Sequence, residues 1–340
     1  MRLPTLSPPA YRRVTLVALV ALTFIIVSGA AVRLTGSGLG CPDWPTCADD
    51  RVVAPLEYHA MVEFVNRTVT GLVSLAVIVA VLGSLRRQPR RRDLAWLSLG
   101  LVGGVIGQIV LGGLTVLFEL KPGFVMAHFL VSMVLLFDAV VLHDRAGRPD
   151  GPDPAGDPAG DGRPDGPDPA VDPGDAGDAV AWTADRDLRL LGSLAVAAAG
   201  LVLFLGTVVT SSGPHGGDEN AERLQFALPQ VARLHGAAVV VFLGLTVVAL
   251  LRLRAAKAPT RVLRRGELVL AVSVAQAAIG YIQYFNGVPA LLVGVHVAGA
   301  AAVWIAALRL RLSLSAPTPA RPEAHPPTDD PVDAQISTPT

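Results

Sequence analysis

Eight long apolar runs constrain this chain more than any other feature. They cover residues 14–32, 61–85, 94–117, 124–142, 190–210, 231–251, 268–285 and 289–308. Each approaches or exceeds the ~18 to 20 residues a helix needs to cross a bilayer. In hydrocarbon every backbone amide must pair internally, so runs of this length imply helices. With 51% hydrophobic residues, an ordinary soluble domain is excluded. The expected fold is all-α: a polytopic membrane protein whose eight transmembrane helices form two pseudo-symmetric four-helix bundles. Arg12 and Arg13 precede the first run as in a signal peptide, but the run is too long and no small-residue cleavage motif follows.

Arginine clusters orient the helices. Arg12 and Arg13 precede the first run, and Arg86, Arg87, Arg90, Arg91 and Arg92 follow the second. Arg145 and Arg148 follow the fourth. Arg252, Arg254, Lys257, Arg261, Arg264 and Arg265 lie between the sixth and seventh, and Arg309 and Arg311 follow the eighth. With eight crossings all of these fall on one side, which the positive-inside rule makes cytoplasmic. The expected location is the cell (plasma) membrane with both termini inside. Residues 144–185 repeat Asp, Pro, Gly and Ala, and 315–340 are rich in Pro and Thr. Neither can bury enough apolar surface to offset its ordering entropy. The organisation expected is therefore 1–143, an N-terminal four-helix half; 144–185, a cytoplasmic linker; 186–314, a C-terminal four-helix half; and 315–340, a tail holding His325.

The halves repeat each other. "GQIVLGGLTVLFELKPGFVMAHF" parallels "AQAAIGYIQYFNGVPALLVGVHV", with Gln108 to His128 and Gln276 to His296 each 20 residues apart. "GAAVRLTGSG" from Gly29 parallels "GTVVTSSGPH" from Gly206, and "VEFVNRTVTGLV" parallels "VARLHGAAVVVF", which sets Asn66 opposite His235. Repeats of this kind build functional sites between their helices. His128, His235 and His296 lie at one depth, a turn or two below the outer surface. Imidazoles on the sixth and eighth helices suit a clamp on both faces of a planar metal cofactor, with haem the obvious candidate. A single intramembrane histidine is as readily explained by a bond to a neighbouring helix; the matched spacing favours ligation by His235 with His296.

With "RLTGSGLGCPDWPTC", "VEFVNR", "GQIVLGGLTVL…MAHF", "TSSGPHGGD…RLH" and "GVPALLVGVHV" together, the chain resembles the haem A synthase family over nearly all its membrane part. It resembles the actinobacterial type, with Asn in place of one substrate-half histidine. The resemblance implies a membrane haem-dependent oxidoreductase. Such an enzyme oxidises the C8 methyl of haem O to a formyl group by successive hydroxylations, giving haem A for cytochrome oxidase. It implies haem b (iron) as cofactor in the C-terminal half, on His235 and His296, and haem O as substrate in the N-terminal half, on His128. Glu63 matches the carboxylate beside that pocket and is the catalytic candidate, able to take a proton or steady developing positive charge. Its plainer role is an i, i+4 pair with Arg67.

Asn66 occupies the fourth ligand position. Either the substrate iron is five-coordinate, or His59, two turns outward, reaches it. Arg67, Arg33, Arg233 and His215 are the expected cofactor-binding residues, since arginine pairs bidentately with propionates; snorkelling at the interface is the simpler account of any one arginine, Arg223 included. His143 reads as interfacial. Expected partners are haem O synthase (the protohaem farnesyltransferase), membrane lipid, an unidentified electron acceptor and a further copy of the chain in a homo-oligomer, with no nucleic acid. The alternative function is a membrane cytochrome b-like electron-transfer protein. A transporter ranks third, since no mid-membrane helix breaks are evident.

Cys41 and Cys47 are the only cysteines. Their loop falls outside, where disulfides persist, and lacks the further His or Cys of a closed zinc site. A Cys41–Cys47 disulfide over the mouth of the substrate half is expected, structural or exchanging with a thiol partner.

Overall fold

The computed structural model describes residues 5–48, 51–150 and 182–315. It contains α1 (Pro8–Leu34), α2 (Tyr58–Arg86), α3 (Arg92–Leu117), α4 (Pro122–Ala146), α5 (Arg186–Ser212), α6 (Leu228–Ala255), α7 (Thr260–Phe285) and α8 (Ala290–Ser313). All eight are long and apolar enough to cross a membrane. Among the described residues the only β-pairing is two isolated bridges. The chain is an all-helical, multi-pass membrane protein.

Each apolar run lies within one helix, apart from Pro289, which caps α8. The helices are longer than the runs, which corrects the placement of the arginines. Arg252 and Arg254 end α6, while Arg261, Arg264 and Arg265 lie in the first turns of α7, leaving only Lys257 in the connection. Arg12 and Arg13 are likewise inside α1. Hydropathy stops at the hydrocarbon boundary, whereas the helical hydrogen-bond ladder continues into the headgroup zone and lifts the guanidinium groups into water.

The edges of the expected linker are also shorter than drawn. Helix α4 runs on to Ala146. Asp150 accepts a hydrogen bond from the fully buried Arg87 at 2.6 Å. At the far edge Trp182 Nε1 donates to Ala256 O, and Asp185 caps α5 by accepting from the Leu188 N–H at 2.7 Å. The linker's interior, 151–181, and the tail, 316–340, lie outside the described residues.

Each half is a ring of four helices. α1–α2, α2–α3, α3–α4 and α4–α1 touch, as do α5–α6, α6–α7, α7–α8 and α8–α5, while the diagonals α2/α4 and α6/α8 have no Cα pair within 8 Å. The diagonal helices therefore face each other across the ring's axis. The rings join through α4–α8, with α1–α8 and α4–α5 on either side, as a two-fold relation of the halves requires. Leu203, Ala301 and Leu308 enter the core of the first half, and Trp304 Nε1 donates to Met133 O at 2.9 Å. Val17, Val20, Leu72, Val240 and Val241 point outward and stay exposed, as lipid-facing side chains do.

One turn occurs in both halves. After α3 the Leu120 N–H bonds to Thr115 O at 2.8 Å, and after α7 the Val288 N–H bonds to Gln283 O at 2.7 Å. Leu120 and Val288 both adopt positive φ, 58° and 60°, the left-handed end of a helix cap. For a β-branched valine that conformation is strained. His215 Nε2 donates to Val288 O at 2.8 Å and supports the turn. These two turns start α4 and α8, the helices that carry His128 and His296.

Candidate functional site

Three imidazoles are seated in one way. A Cβ placed on Gly112 would lie 3.2 Å from His128 Cε1, one on Gly206 3.3 Å from His235 Cε1, and one on Gly280 3.1 Å from His296 Cε1. Each histidine on an even-numbered helix thus rests its ring edge on a glycine of the preceding helix, where a methyl group would crowd it. Each lies two turns or fewer inside its helix, about 10 Å at the helical rise. Gln108 Nε2 donates to His128 O at 3.0 Å, and Gln276 Nε2 donates to His296 O at 2.5 Å. These amides fix the backbone of the two residues.

His235 on α6 and His296 on α8 occupy the two helices of one diagonal, each against a glycine of the helix before it. Their buried Nδ1 atoms have no hydrogen-bond partner, and none is formed by Nε2 among the described residues. The Val202 carbonyl lies near His235 without hydrogen-bond geometry. Buried polar atoms are normally paired, so two wholly unpaired rings at matched depth call for a ligand. No group of three or more His, Cys, Asp or Glu is arranged to hold a metal ion among the described residues. Two imidazoles suffice only for a metal that brings its own equatorial ligands.

In the first half the diagonal is different. Glu63 is 6% exposed. Its Oε2 accepts from the Cys41 N–H at 2.8 Å, and its Oε1 accepts from Arg67 Nε at 3.1 Å and Nη2 at 2.6 Å. Arg67 also donates to the carbonyls of Cys41, Asp43 and Thr46. Its five N–H groups are all directed at protein acceptors, leaving none for a propionate. The i, i+4 pair is therefore real, and it also anchors the loop. Cys41 and Cys47 form the expected disulfide, both cysteines fully buried. Trp44, at the loop's tip, covers Gly113, where a Cβ would come within 2.6 Å of the indole, directly beside the glycine that seats His128.

The remaining candidates are spread along the same end. Asn66 Oδ1 accepts from Ser28 Oγ at 2.8 Å. His59 is exposed at the start of α2, its Nδ1 bonded to Ser37 Oγ at 2.9 Å. Arg33 Nε donates to His215 O at 2.7 Å and Nη2 to Thr210 O at 3.1 Å, clamping α1 to the second half. Arg233 is exposed and unpaired among the described residues. Sequence reasoning missed the three glycines, Ser28 and the Trp44 contact. It also missed Asp138, a half-buried carboxylate on α4 facing Gly100. The repeat carried the signal for the glycines, which precede each histidine helix at matched positions.

A polytopic helical protein with an unpaired imidazole pair in one ring, and in the other a single imidazole and a buried carboxylate on opposite helices, has the donors that a membrane haem protein needs. Residues 12–59 and 53–214 match the COX15-CtaA family, described as cytochrome oxidase assembly protein. The chain belongs to that family. The match covers more than half the chain and ends before His235 and His296. Curated relatives include the heme A synthases of Lysinibacillus sphaericus (31% identical over 126 residues, 37% of this chain and 41% of that protein), Macrococcus caseolyticus (31% over 125 residues, 36% and 41%) and Geobacillus thermodenitrificans (32% over 111 residues, 32% and 34%). The chain spans about two fifths of the length of the first of these.

Proposed function

We propose that this chain is a haem A synthase, an oxidoreductase that converts the C8 methyl of haem O to a formyl group to give haem A for cytochrome oxidase. Family membership and the relatives' names support it. The observation that carries it is the contrast between the diagonals: a closed imidazole pair, His235 with His296, beside a lone His128 accompanied by Glu63. The residues fit haem, because two unpaired imidazoles on diagonal helices would serve a metal that brings its remaining ligands with it. His235 and His296 would hold haem b, and His128 the substrate. Bound haem b supplies one-electron redox chemistry.

The chain's own residues do the rest. Glu63 brings a fixed carboxylate, oriented by the Cys41 N–H and Arg67, to the rim of the first ring, where it can accept a proton or steady positive charge developing at the oxidised methyl carbon. Trp44 and the disulfide loop cover α3 beside His128 and shield that rim from water. We place the enzyme in the cell membrane with both termini cytoplasmic, on the arginine clusters, and haem O synthase as the supplier of substrate. Asn66 is the feature that marks the actinobacterial type. Expressing the full chain with a haem O synthase and extracting its haems tests the proposal. Formyl haem is expected; bound haem b without any formyl or hydroxylated haem overturns it and leaves the electron-transfer reading.

A further inference from the structure

The four quarters of the molecule follow one rule with one exception. In three of them an aliphatic–glycine pair faces a histidine: Leu111–Gly112 with His128, Leu205–Gly206 with His235, and Ile279–Gly280 with His296. In the fourth both members have changed together, to Ser28–Gly29 with Asn66. Ser28 Oγ has one proton and two acceptors in reach, Asn66 Oδ1 at 2.8 Å and Ile25 O at 3.2 Å; the shorter contact orients the amide. Asn66 Nδ2 keeps two N–H donors with no partner among the described residues. A Cβ on Gly29 would meet nothing within 4 Å, so no side chain takes the place that imidazoles take at the other three glycines.

We infer that Ser28 and Asn66 form a receptor for a diatomic ligand, whose outer atom accepts a hydrogen bond from Asn66 Nδ2 on the α2 side of the first ring. This rests on the reading of His128 as the ligand of the haem in that ring. Asn66 is a poor candidate for the sixth ligand itself. The carboxamide oxygen is the atom that would coordinate; it is a weak iron ligand, and the Ser28 hydroxyl competes for it and turns it toward α1. Ser28 is the positioning residue, and the amide is the contact. The second ring has no counterpart, because Leu205 offers no hydroxyl and His235 fills the position.

The test uses the full-length protein with its bound haem, cyanide as the ferric probe and carbon monoxide as the ferrous one. His235 and His296 would together hold one haem iron and leave it no open site, so ligand binding would report on the first ring. The unaltered chain is expected to bind both probes. Asn66→Leu should weaken cyanide about tenfold, the value of a hydrogen bond to a charged ligand, and move the C–O stretching frequency. Ser28→Ala should shift both in the same direction by less. Asn66→His should add a second low-spin signal and abolish cyanide binding. Unchanged cyanide affinity and an unmoved C–O stretch in Asn66→Leu overturn the receptor while leaving the enzyme reading intact, provided haem content still depends on His128. Haem content unaffected by His128→Ala overturns both. If Asn66→Leu does not fold, Ser28→Ala and Asn66→His decide alone: no change in either spectrum or affinity overturns the receptor.

Discussion

The two rings share a scaffold and differ at a few positions. In the second, Ala232 and Gly236 align with Glu63 and Arg67, Leu205 with Ser28, and His235 with Asn66. In the first, a disulfide loop is tied to the carboxylate and its tryptophan covers Gly113; the aligned position in the second is Tyr281, exposed to the surroundings. One ring thus carries a symmetric pair of imidazoles and no charged side chain at the positions of Glu63 and Arg67, the form expected of a resident cofactor. The other has an amide where its counterpart has an imidazole, together with a carboxylate and a cover, the form expected where a molecule enters, reacts and leaves. Duplication supplied the seat, and divergence at the disulfide end supplied the chemistry.

The largest effect expected from breaking that contrast is at Glu63. Glu63→Gln keeps the shape and removes the charge, and formation of formyl haem should fall about 100-fold or more, the scale of a lost acid–base group. Bound haem b should be unchanged, since the second ring has no carboxylate to lose. A matching loss of both would show that Glu63 serves the fold of the whole chain and not the reaction. Cys41→Ser separates these roles, because it loosens the loop and keeps the carboxylate.

A smaller effect follows from the glycine seats. Gly206→Ala and Gly280→Ala each push a methyl group to within about 3.3 Å of an imidazole carbon, and such overpacking typically costs about 1–3 kcal/mol. Retention of haem b during purification should drop and its electron paramagnetic resonance g-values should move. Gly112→Ala should perturb only the first ring. Gly29→Ala, which meets nothing within 4 Å, should leave every spectrum as it was. Equal responses at all four glycines would dissolve the distinction between the quarters.

Much of this was legible in the sequence. Hydrocarbon leaves a long apolar run no alternative to a helix, so the element count followed directly, and the repeated spacing set His235 and His296 at matched depth on α6 and α8. What could not be read depends on how helices turn toward one another. Arginines at helix ends look alike in a sequence, yet Arg67 binds a loop, Arg33 clamps the halves and Arg233 faces outward. Ser28 gains meaning only when α1 packs on α2 with its hydroxyl against Asn66. Trp44 could be placed in a covering loop, but its seat on Gly113 depends on the fold of residues between the cysteines. The helix ends were misjudged because hydropathy reports the membrane's thickness and not the helix's length.

The smallest effect concerns the two glutamines, the most closely matched pair in the molecule. The buried Oε1 of each glutamine has no partner, and Gln276 Nε2 donates to His296 O and nothing else. Gln276→Leu removes one donor together with that orphaned acceptor, so it should change stability by less than about 0.5 kcal/mol. Gln108 Nε2 donates both to His128 O at 3.0 Å and to Ser132 Oγ at 2.7 Å, whereas the second half has Ala300 where the first has Ser132. Gln108→Leu removes the same kind of orphaned acceptor but breaks two bonds and leaves the serine with one fewer partner, so it should cost about 1 kcal/mol. Thermal unfolding of the two variants in one detergent measures the difference. The first ring should be the more sensitive, because its histidine is held by a network and its counterpart by a single bond; the opposite order would mean that the amide at Gln276 carries more of the α7–α8 contact than its hydrogen bonds reveal.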